Sequence, residues 1–516
     1  MIPDAGGHEV APLGSRALLV RLGPVDPHAA RQALVASPLP GQVEVTAGAT
    51  TLTVRFSSAR AARAGRAALA ALRPDARDAA PGPLVTIDTV YDGDDLAEVA
   101  ALTGLGVDGV IRTHTATQWH VAFVGFAPGF AYLRSPDATL HVPRRATPRV
   151  RVPAGAVALA GDYSAVYPRA SPGGWQLVGH TAMPLWEPSE DPPLRLQAGD
   201  RVRFHAVRER VEVAEPARPA LPPLPRDTSG LRVLATGAQT LIEDDGREGR
   251  SGWGVSRSGA ADRGAFHQAN RLVGNDPGAA AIEHAGGGLV VQAVGEVVVA
   301  VTGADAAVTV FTPEDELDAA RATPFPLYDG EVLELGIPRA GLRSYVAVRG
   351  GIEAPRVLGS ASTDTLAGLG VPPLAVDDEL RAGPAPRAAV GEPEVPASVP
   401  GSQATVLELV PGPDDDWFDE AALTAFFAAE WVVTAQSNRV GLRLAGPPVA
   451  RAREGELESQ GLVPGAVQVP PSGQPVLFLA DHPVTGGYPV IGVVADPDLD
   501  RAAQLPAGAR MRFRRR

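Results

Sequence analysis

Glycine and proline interrupt this chain so often that few segments can run far as regular structure. There are 57 glycines and 50 prolines in 516 residues, and neither residue extends a helix or a strand willingly. Long helical bundles are therefore excluded. From Val85 onward the sequence between the breakers is mostly short runs of Val, Leu, Phe and Thr bounded by Gly, Pro and Asp, the pattern of antiparallel sandwiches and closed barrels. The expected fold class is mainly β with some α, a small N-terminal α+β domain followed by β-barrel domains.

Helical spacing occurs in few places. Residues 26–36 and 58–72 carry it on either side of the alternating segment 43–56, which predicts an α+β unit ending near Pro83. Asp94 is placed to cap a helix over 94–102, a second helix spans 262–273 with Gly274 as its stop, and a third spans 415–429. In the basic tail 510–516, Met511 and Phe513 alternate with arginine as in a last strand. Two Pro-rich stretches, 215–230 and 383–401, read as extended linkers. They leave units at 1–84, 85–214, 231–382 and 402–516, with enough apolar residues, 45% of the chain, to give each its own core. Residues 152–157 followed by Tyr167-Pro168 echo residues 463–467 followed by Tyr488-Pro489, which points to repeated β domains.

Two absences remove whole chemistries. All 46 basic residues are arginine, so the chain offers no biotinyl- or lipoyl-lysine, no Schiff base for pyridoxal phosphate and no P-loop lysine. With no cysteine there is no thiol nucleophile, disulfide or thiolate metal site. A net charge of -13 disfavours a nucleic-acid partner. The most apolar stretch, 289–304, is interrupted by Gly295 and Glu296 and is too short to cross a bilayer. No secretory signal is visible, so a soluble, cytoplasmic protein with no membrane partner is expected. Oligomeric state stays open, a homo-oligomer included.

Residues 123–133 place Gly125 and Gly129 among Phe123, Phe126, Phe130 and Tyr132, a tight aromatic-walled turn. After it come Pro143-Arg144-Arg145, Pro148-Arg149-Val150-Arg151, and the segment 171–181 with Gly173-Gly174-Trp175 and His180. Together these resemble the B component of the ATP-dependent 5-oxoprolinase, the KipI or allophanate-hydrolase subunit 1 family. Segments 240–247, 257–262, 269–275, 343–351, 358–360, 437–444, 465–470 and 481–489 resemble the C component, the KipA or allophanate-hydrolase subunit 2 family, related to biotin-dependent carboxyltransferases. The resemblance covers nearly the whole chain and implies a fusion of B and C with cyclophilin-like β-barrels. Ala131, His180 and Ala361 depart from the usual Pro, Arg and Arg of these families.

What the resemblance implies is ATP-driven opening of 5-oxoproline to glutamate together with a separate A component of 5-oxoprolinase. Such a reaction needs cations around phosphate and a carboxylate-bound metal. Arg144, Arg145, Arg149, Arg439 and Arg443 are the candidates for holding phosphate or a substrate carboxylate. Glu243, Asp244 and Asp245 are candidates for holding Mg²⁺ or activating water, with turn chemistry and an ion pair to Arg247 as the alternative. His180 is the candidate acid or base, although a structural histidine fits as well. Gly173, Gly174, Trp175, Ser437, Asn438, Thr485, Gly486, Gly487 and Tyr488 complete the candidate binding set, as backbone or neutral donors for a small polar ligand. His114 and His120 lack metal-ligand spacing, so no zinc site is expected. Two other readings remain, a carboxyltransferase or amidolyase component acting on urea-like substrates and a non-catalytic kinase regulator.

Overall fold

The computed structural model describes residues 8–74, 82–136, 139–145, 147, 149–208, 219–225, 228–455 and 457–516. Pro148 and the expected linker's residues 215–218, 226 and 227 lie outside the described residues.

The N-terminal unit is a four-stranded antiparallel sheet in the order Glu9–Pro12, Ala17–Arg21, Thr51–Phe56, Gln42–Ala47. Two helices, Pro27–Ala36 and Ala59–Ala70, cover it. Both lie where the helical spacing predicts, and each is capped: Asp26 accepts the His28 N–H ahead of Pro27, and Ser58 accepts the Ala61 N–H. Gly65 is required by packing, since a Cβ there would lie 2.7 Å from the Phe56 ring.

The repeat seen in sequence is a repeated topology. The last unit is a closed barrel in the order Thr405–Pro411, Val490–Val494, Ala466–Gln468, Val476–Phe478, Gly441–Ala445, Trp431–Val433, Arg510–Arg515. The second unit is a seven-stranded sheet in the matching order Leu84–Thr89, Gln176–His180, Ala156–Ala160, Tyr163–Val166, Ala131–Arg134, Trp119–Val124, Arg201–Ala206, once its edge strands are joined by the single bridge Val90–His180. Each unit contains one parallel pairing, at the same place, between its first and last strands. Each also carries a side ladder of two strands, Arg149–Val152 with Ser171–Gly173 and Gln460–Gly461 with Thr485–Gly486.

This register corrects the sequence alignment of the echo. Tyr488 precedes the strand Val490–Val494, whereas Tyr167 precedes the side ladder. The topological partner of Gly486-Gly487-Tyr488 is instead Gly173-Gly174-Trp175, which leads into Gln176–His180.

Residues 230–381 form two open sheets of six and five strands. The helix Arg263–Leu272, capped by Asp262 at the Ala265 N–H, packs on the five-stranded sheet through Phe266 against Tyr345. The stretch 383–401 is not a loose tether. Arg349 binds the carbonyls of Pro386 and Ala388, Gly391 N–H reaches Leu272 and Glu394 N–H reaches Ala322, so it is strapped along this unit. Proline kept it out of the sheets, but the extended backbone still found acceptors.

Helix boundaries differ where capping chemistry competes. The helix expected from Asp94 is Leu96–Thr103, and Asp95 gives its carboxylate to arginines instead of capping. The segment 415–429 splits into a 3-10 turn, Asp415–Trp417, and Glu420–Ala428, because Asp419 caps the Ala422 N–H. Gly106–Ala116 and Asp496–Ala503 are helices that the sequence pattern does not announce, the first opening on Gly and rich in β-branched residues, the second short and with Pro497 in its first turn.

The tail is a barrel strand, as predicted, with Met511 and Phe513 buried. Phe513 stacks on Phe426 at 4.9 Å between ring centroids. Phe513→Ala is expected to destabilise this barrel by about 3–5 kcal/mol, read as an earlier thermal transition; an unchanged transition would place the tail outside the folded core.

Candidate functional site at the seam of the two halves

One loop, residues 481–488, meets three parts of the molecule. Asp481 turns inward and accepts Arg439 Nε at 3.1 Å, Ser258 Oγ at 2.7 Å and Thr365 Oγ1 at 2.6 Å. His482 and Val484 line a cavity beside the N-terminal unit. Thr485 Oγ1 accepts the Phe126 N–H of the first barrel at 3.0 Å. Phe126 holds φ 61° to make that bond, and Gly125 is needed because a Cβ there would collide with the Thr485 hydroxyl. The aromatic turn read from sequence is thus a docking point for the other half of the chain.

Behind it, the outer face of the first barrel is filled with rings. Phe123 stacks on Tyr132 at 4.2 Å, Phe130 meets Trp175 edge-on at 5.5 Å, and Tyr132 meets Tyr163 at 5.8 Å. Small residues make room, since Ala156, Ala158, Ala160 and Ala165 belong to the same cluster. Gly173 lies against the Tyr167 hydroxyl, where a Cβ would not fit. Burial pushes the Tyr132 hydroxyl up despite Arg144, Ser459 and Thr485 beside it, and pushes Tyr163 up to about 12. These phenols are neutral donors. Arg144 sits between this face and the second barrel, 3.9 Å from where a Cβ on Gly487 would stand, and its charge reaches Tyr132 and Tyr167. The fold therefore brings Arg144, Gly173, Gly174, Trp175, Thr485 and Gly487 to one seam. An arginine, phenol hydroxyls and a glycine-rich backbone suit a small polar ligand with negative charge.

The remaining candidates have other partners. Arg149 grips Asp95 through two bonds, 2.8 and 2.9 Å, and Arg145 binds the same carboxylate. Burial raises Asp95, but bonds from Arg149 and the Leu177 N–H and the charges of both arginines outweigh it and hold the carboxyl below its usual range. Arg145 and Arg149 thus fasten the helix Leu96–Thr103 to the barrel. Ser437 Oγ accepts the Arg443 N–H and Asn438 Oδ1 the Val440 N–H, an ordinary turn, while the Arg443 side chain is exposed. Gly486 pairs with Gln460, and the Tyr488 carbonyl accepts Gln468 Nε2. His180 binds Asp92 through Nδ1 at 2.7 Å at the barrel's closing bridge.

The acidic trio does not converge. Asp244 is buried and accepts from Ser360 Oγ, Ser362 Oγ and the Ala361 N–H at 2.6 to 2.8 Å. Asp245 faces the other way, to His267 at 2.7 Å and Arg263 at 3.0 Å, and the His267 bond, with Arg263, holds it well below the usual carboxylate range against burial. Glu243 points to Arg439. Three successive carboxylates on different partners offer no shared oxygen cage for Mg²⁺, and among the described residues no group of three or more His, Asp or Glu is placed to hold a metal ion.

Arg439 is fully buried, and its guanidinium binds Glu283, Asp481 and the Gly259 carbonyl, with Glu243 Oε1 at 3.4 Å. Tyr345 and Arg343 also reach Glu283. Glu243 makes no hydrogen bond through either oxygen; burial drives its carboxyl well up, and neighbouring Glu283 and Asp481 add to the effect against Arg439. Arg439, a candidate ligand contact by sequence, is therefore a clamp between units. Glu283, Arg343 and His482 join the structure's polar interior without having stood out in the sequence. The signal available was charge inside strands whose other residues are apolar, as in Ala281–Ala285. Because burial drives Glu243 towards its neutral form and neither of its oxygens holds a hydrogen bond, Glu243→Gln is expected to change stability by less than about 1 kcal/mol, whereas Arg439→Met strands two carboxylates and costs about 3–5 kcal/mol. Chemical denaturation of both variants checks this; equal losses would contradict a protonated Glu243.

Comparison with known proteins matches this division. Residues 8–196 match the family model for carboxyltransferase domain, subdomain C and D, and residues 253–515 that for subdomain A and B. The C component of 5-oxoprolinase from Escherichia coli K12 is 37% identical over 286 residues, 55% of this chain and 90% of that protein. The B component of 5-oxoprolinase from Escherichia coli O157:H7 is 48% identical over 130 residues, 25% of this chain and 60% of that protein. Urea amidolyase of Lachancea kluyveri is 30% identical over 61% of this chain but only 18% of its own length. The crystal structure of TTHA0988 superposes with a TM-score of 0.85 at 33% identity, covering 97% of this chain and 99% of that one. The chain belongs to the carboxyltransferase-domain family, as a fusion of a half like the B component of 5-oxoprolinase with a half like its C component.

Proposed function

We propose that the chain is the B plus C component of an ATP-dependent 5-oxoprolinase, opening 5-oxo-L-proline to L-glutamate in the cytoplasm together with a separate A component. The observation that carries this reading is the seam, where Thr485 and Gly487 of one half meet Phe126 and Arg144 of the other. Relatives of the two halves are named as parts of one enzyme, and a site assembled from both explains why a single chain would hold them together.

An unstrained lactam is a poor electrophile; phosphorylating its carbonyl oxygen from ATP, with ADP leaving, would let one water add and the ring C–N bond break to an amine and an acyl phosphate, from which a second water releases phosphate. Arg144 supplies charge for the substrate carboxylate or the phosphate, and the buried phenols donate without adding charge. Since Glu243, Asp244 and Asp245 are committed elsewhere, Mg²⁺ and ATP are assigned to the assembly with the A component.

The test is formation of glutamate and ADP from 5-oxo-L-proline and Mg-ATP by this chain with and without the A component from the same organism. Both products are expected in equal amounts from the mixture and little from the chain alone. Arg144→Ala should lower kcat/KM of the mixture at least about tenfold. Glutamate production without the A component, or none from a demonstrably associated complex, would overturn the reading.

A further inference from the structure

The two barrels treat the outward edge of their first strands differently. In the second, Val406 and Glu408 turn backbone groups away from the parallel strand Arg510–Arg515, and the helix Asp496–Ala503 meets them. Asp498 accepts the Glu408 N–H at 2.6 Å, the Glu408 carbonyl accepts the Ala495 N–H at 2.8 Å, and the Val406 carbonyl accepts Arg501 at 3.0 Å. Two fully buried rings fix the correspondence with the first barrel. Trp119 and Trp431 each stand opposite the second residue of the last strand, Val202 or Met511, so Thr86 and Asp88 are the counterparts of Val406 and Glu408. Arg201 N–H bonds the Pro83 carbonyl and Val207 N–H the Thr89 carbonyl, which turns the backbone groups of Leu84, Thr86 and Asp88 away from Arg201–Ala206. Among the described residues none of these groups has a hydrogen-bond partner.

An open edge pairs readily with another chain, and proteins guard such edges with proline or charge. This chain does so elsewhere: the edge strand Pro324–Leu327 carries Pro324 and Pro326, and the edge strand Glu316–Asp318 two carboxylates. Leu84–Thr89 has no proline, its one charged side chain, Asp88, is held by His205 at 2.9 Å, and Leu84 is 44% exposed. Beside this edge lies a groove of about 490 Å³, within the about 300–1,000 Å³ common for binding clefts. Leu84, Val85 and Thr86 form one wall. Met183, Pro192 and Leu194 form the other, with exposed Glu190, Asp191 and Arg195. Two carboxylates against one arginine leave that wall acidic.

The groove offers what an added β-strand needs, free backbone donors and acceptors on one side and apolar surface for alternate side chains. Its far wall decides the occupant. A second copy of the chain presents the same edge behind its own residues 183–195, so two such grooves cannot pair, whereas a lone extended segment can enter. We propose that this groove is the docking site for an extended segment of a partner protein, which joins the first barrel as a further strand, with apolar side chains towards Leu84 and Leu194 and a basic one beside Glu190 and Asp191. The partner is the A component, an assignment that rests on the function proposed above.

The experiment is calorimetric titration of the full chain with the A component from the same organism, joined to amide hydrogen exchange. In the free chain the Thr86 and Asp88 amides are expected to exchange faster than those of Val85 and Ile87, and to slow at least about tenfold when the A component is added. Thr86→Pro removes an outward donor and leaves the ladder to Arg201–Ala206 intact. It should weaken association at least about tenfold, while Thr86→Val, which keeps the N–H, changes it less than about threefold. Glu190→Arg combined with Asp191→Arg should also weaken it at least about tenfold, the loss shrinking as salt rises. This pair keeps the test decisive if Thr86→Pro fails to fold. Absence of association, association unchanged by a folded Thr86→Pro or by the paired reversal, edge amides already slow in the free chain, or self-association of the chain that Thr86→Pro abolishes would overturn the proposal. Turnover by a mixture whose association neither variant alters would sink the groove and leave the proposed function standing; association through the groove with no turnover in any mixture would do the reverse.

Discussion

Arg439 is the constraint from which the arrangement of the second half follows. A guanidinium without access to water must be met by carboxylates, and here they come from two units: Asp481 from its own barrel and Glu283 from the open sheets. Separating the units would leave charge buried and unpaired, a penalty of several kcal/mol per ion. The clamp is therefore directional as well as strong. Asp481 also begins the segment that places His482 at the cavity and Thr485 against Phe126, so the position of the seam depends on an interaction outside it.

The two barrels share a topology but not a surface. In the first, Phe123, Tyr132 and Trp175 consume the outer face, and alanines beneath them keep the sheet from overfilling. In the second, Leu462, Val463, Val484 and Val493 line a cavity against the N-terminal unit. A duplicated fold thus serves two ends, one copy adhesion and the other space. The paired glycines behave alike in both copies, because each sits where a backbone must pass close to a neighbour: Gly173 against the Tyr167 hydroxyl, Gly486 against Gln468 and Leu462.

Much of this could be read in the sequence, for local reasons. The helices expected over 26–36, 58–72 and 262–273 are present, each capped by its first expected residue, Asp26, Ser58 or Asp262, since spacing and capping depend on nearby residues. Met511 and Phe513 alternate inward as a strand must. The candidate site was legible only as a set of unusual segments. Arg144 and Thr485 stand far apart in the chain, and nothing in either segment shows that they meet. Arg145, Arg149 and Arg439 look alike in sequence to an arginine that binds a ligand, and only the positions of Asp95, Glu283 and Asp481 reveal that they are taken. Glu243, Asp244 and Asp245 misled for a related reason: adjacent residues on an extended backbone point in different directions.

The N-terminal unit shows why fusion alone does not account for the assembly. It sits ahead of the first barrel in the chain, yet Leu13 and Ala17 share a core with Leu462, Val463 and Val493 of the last. Arg21 reaches Asp414, and Thr53 bonds the Gly461 carbonyl. A covalent link raises the local concentration of one half at the other, but it does not choose an orientation. The orientation comes from this wedge on one side and the Thr485–Phe126 joint on the other. Because the wedge also forms a wall of the cavity, through Leu13, Arg16, Thr46 and Arg55, that space is bounded by residues from both ends of the chain.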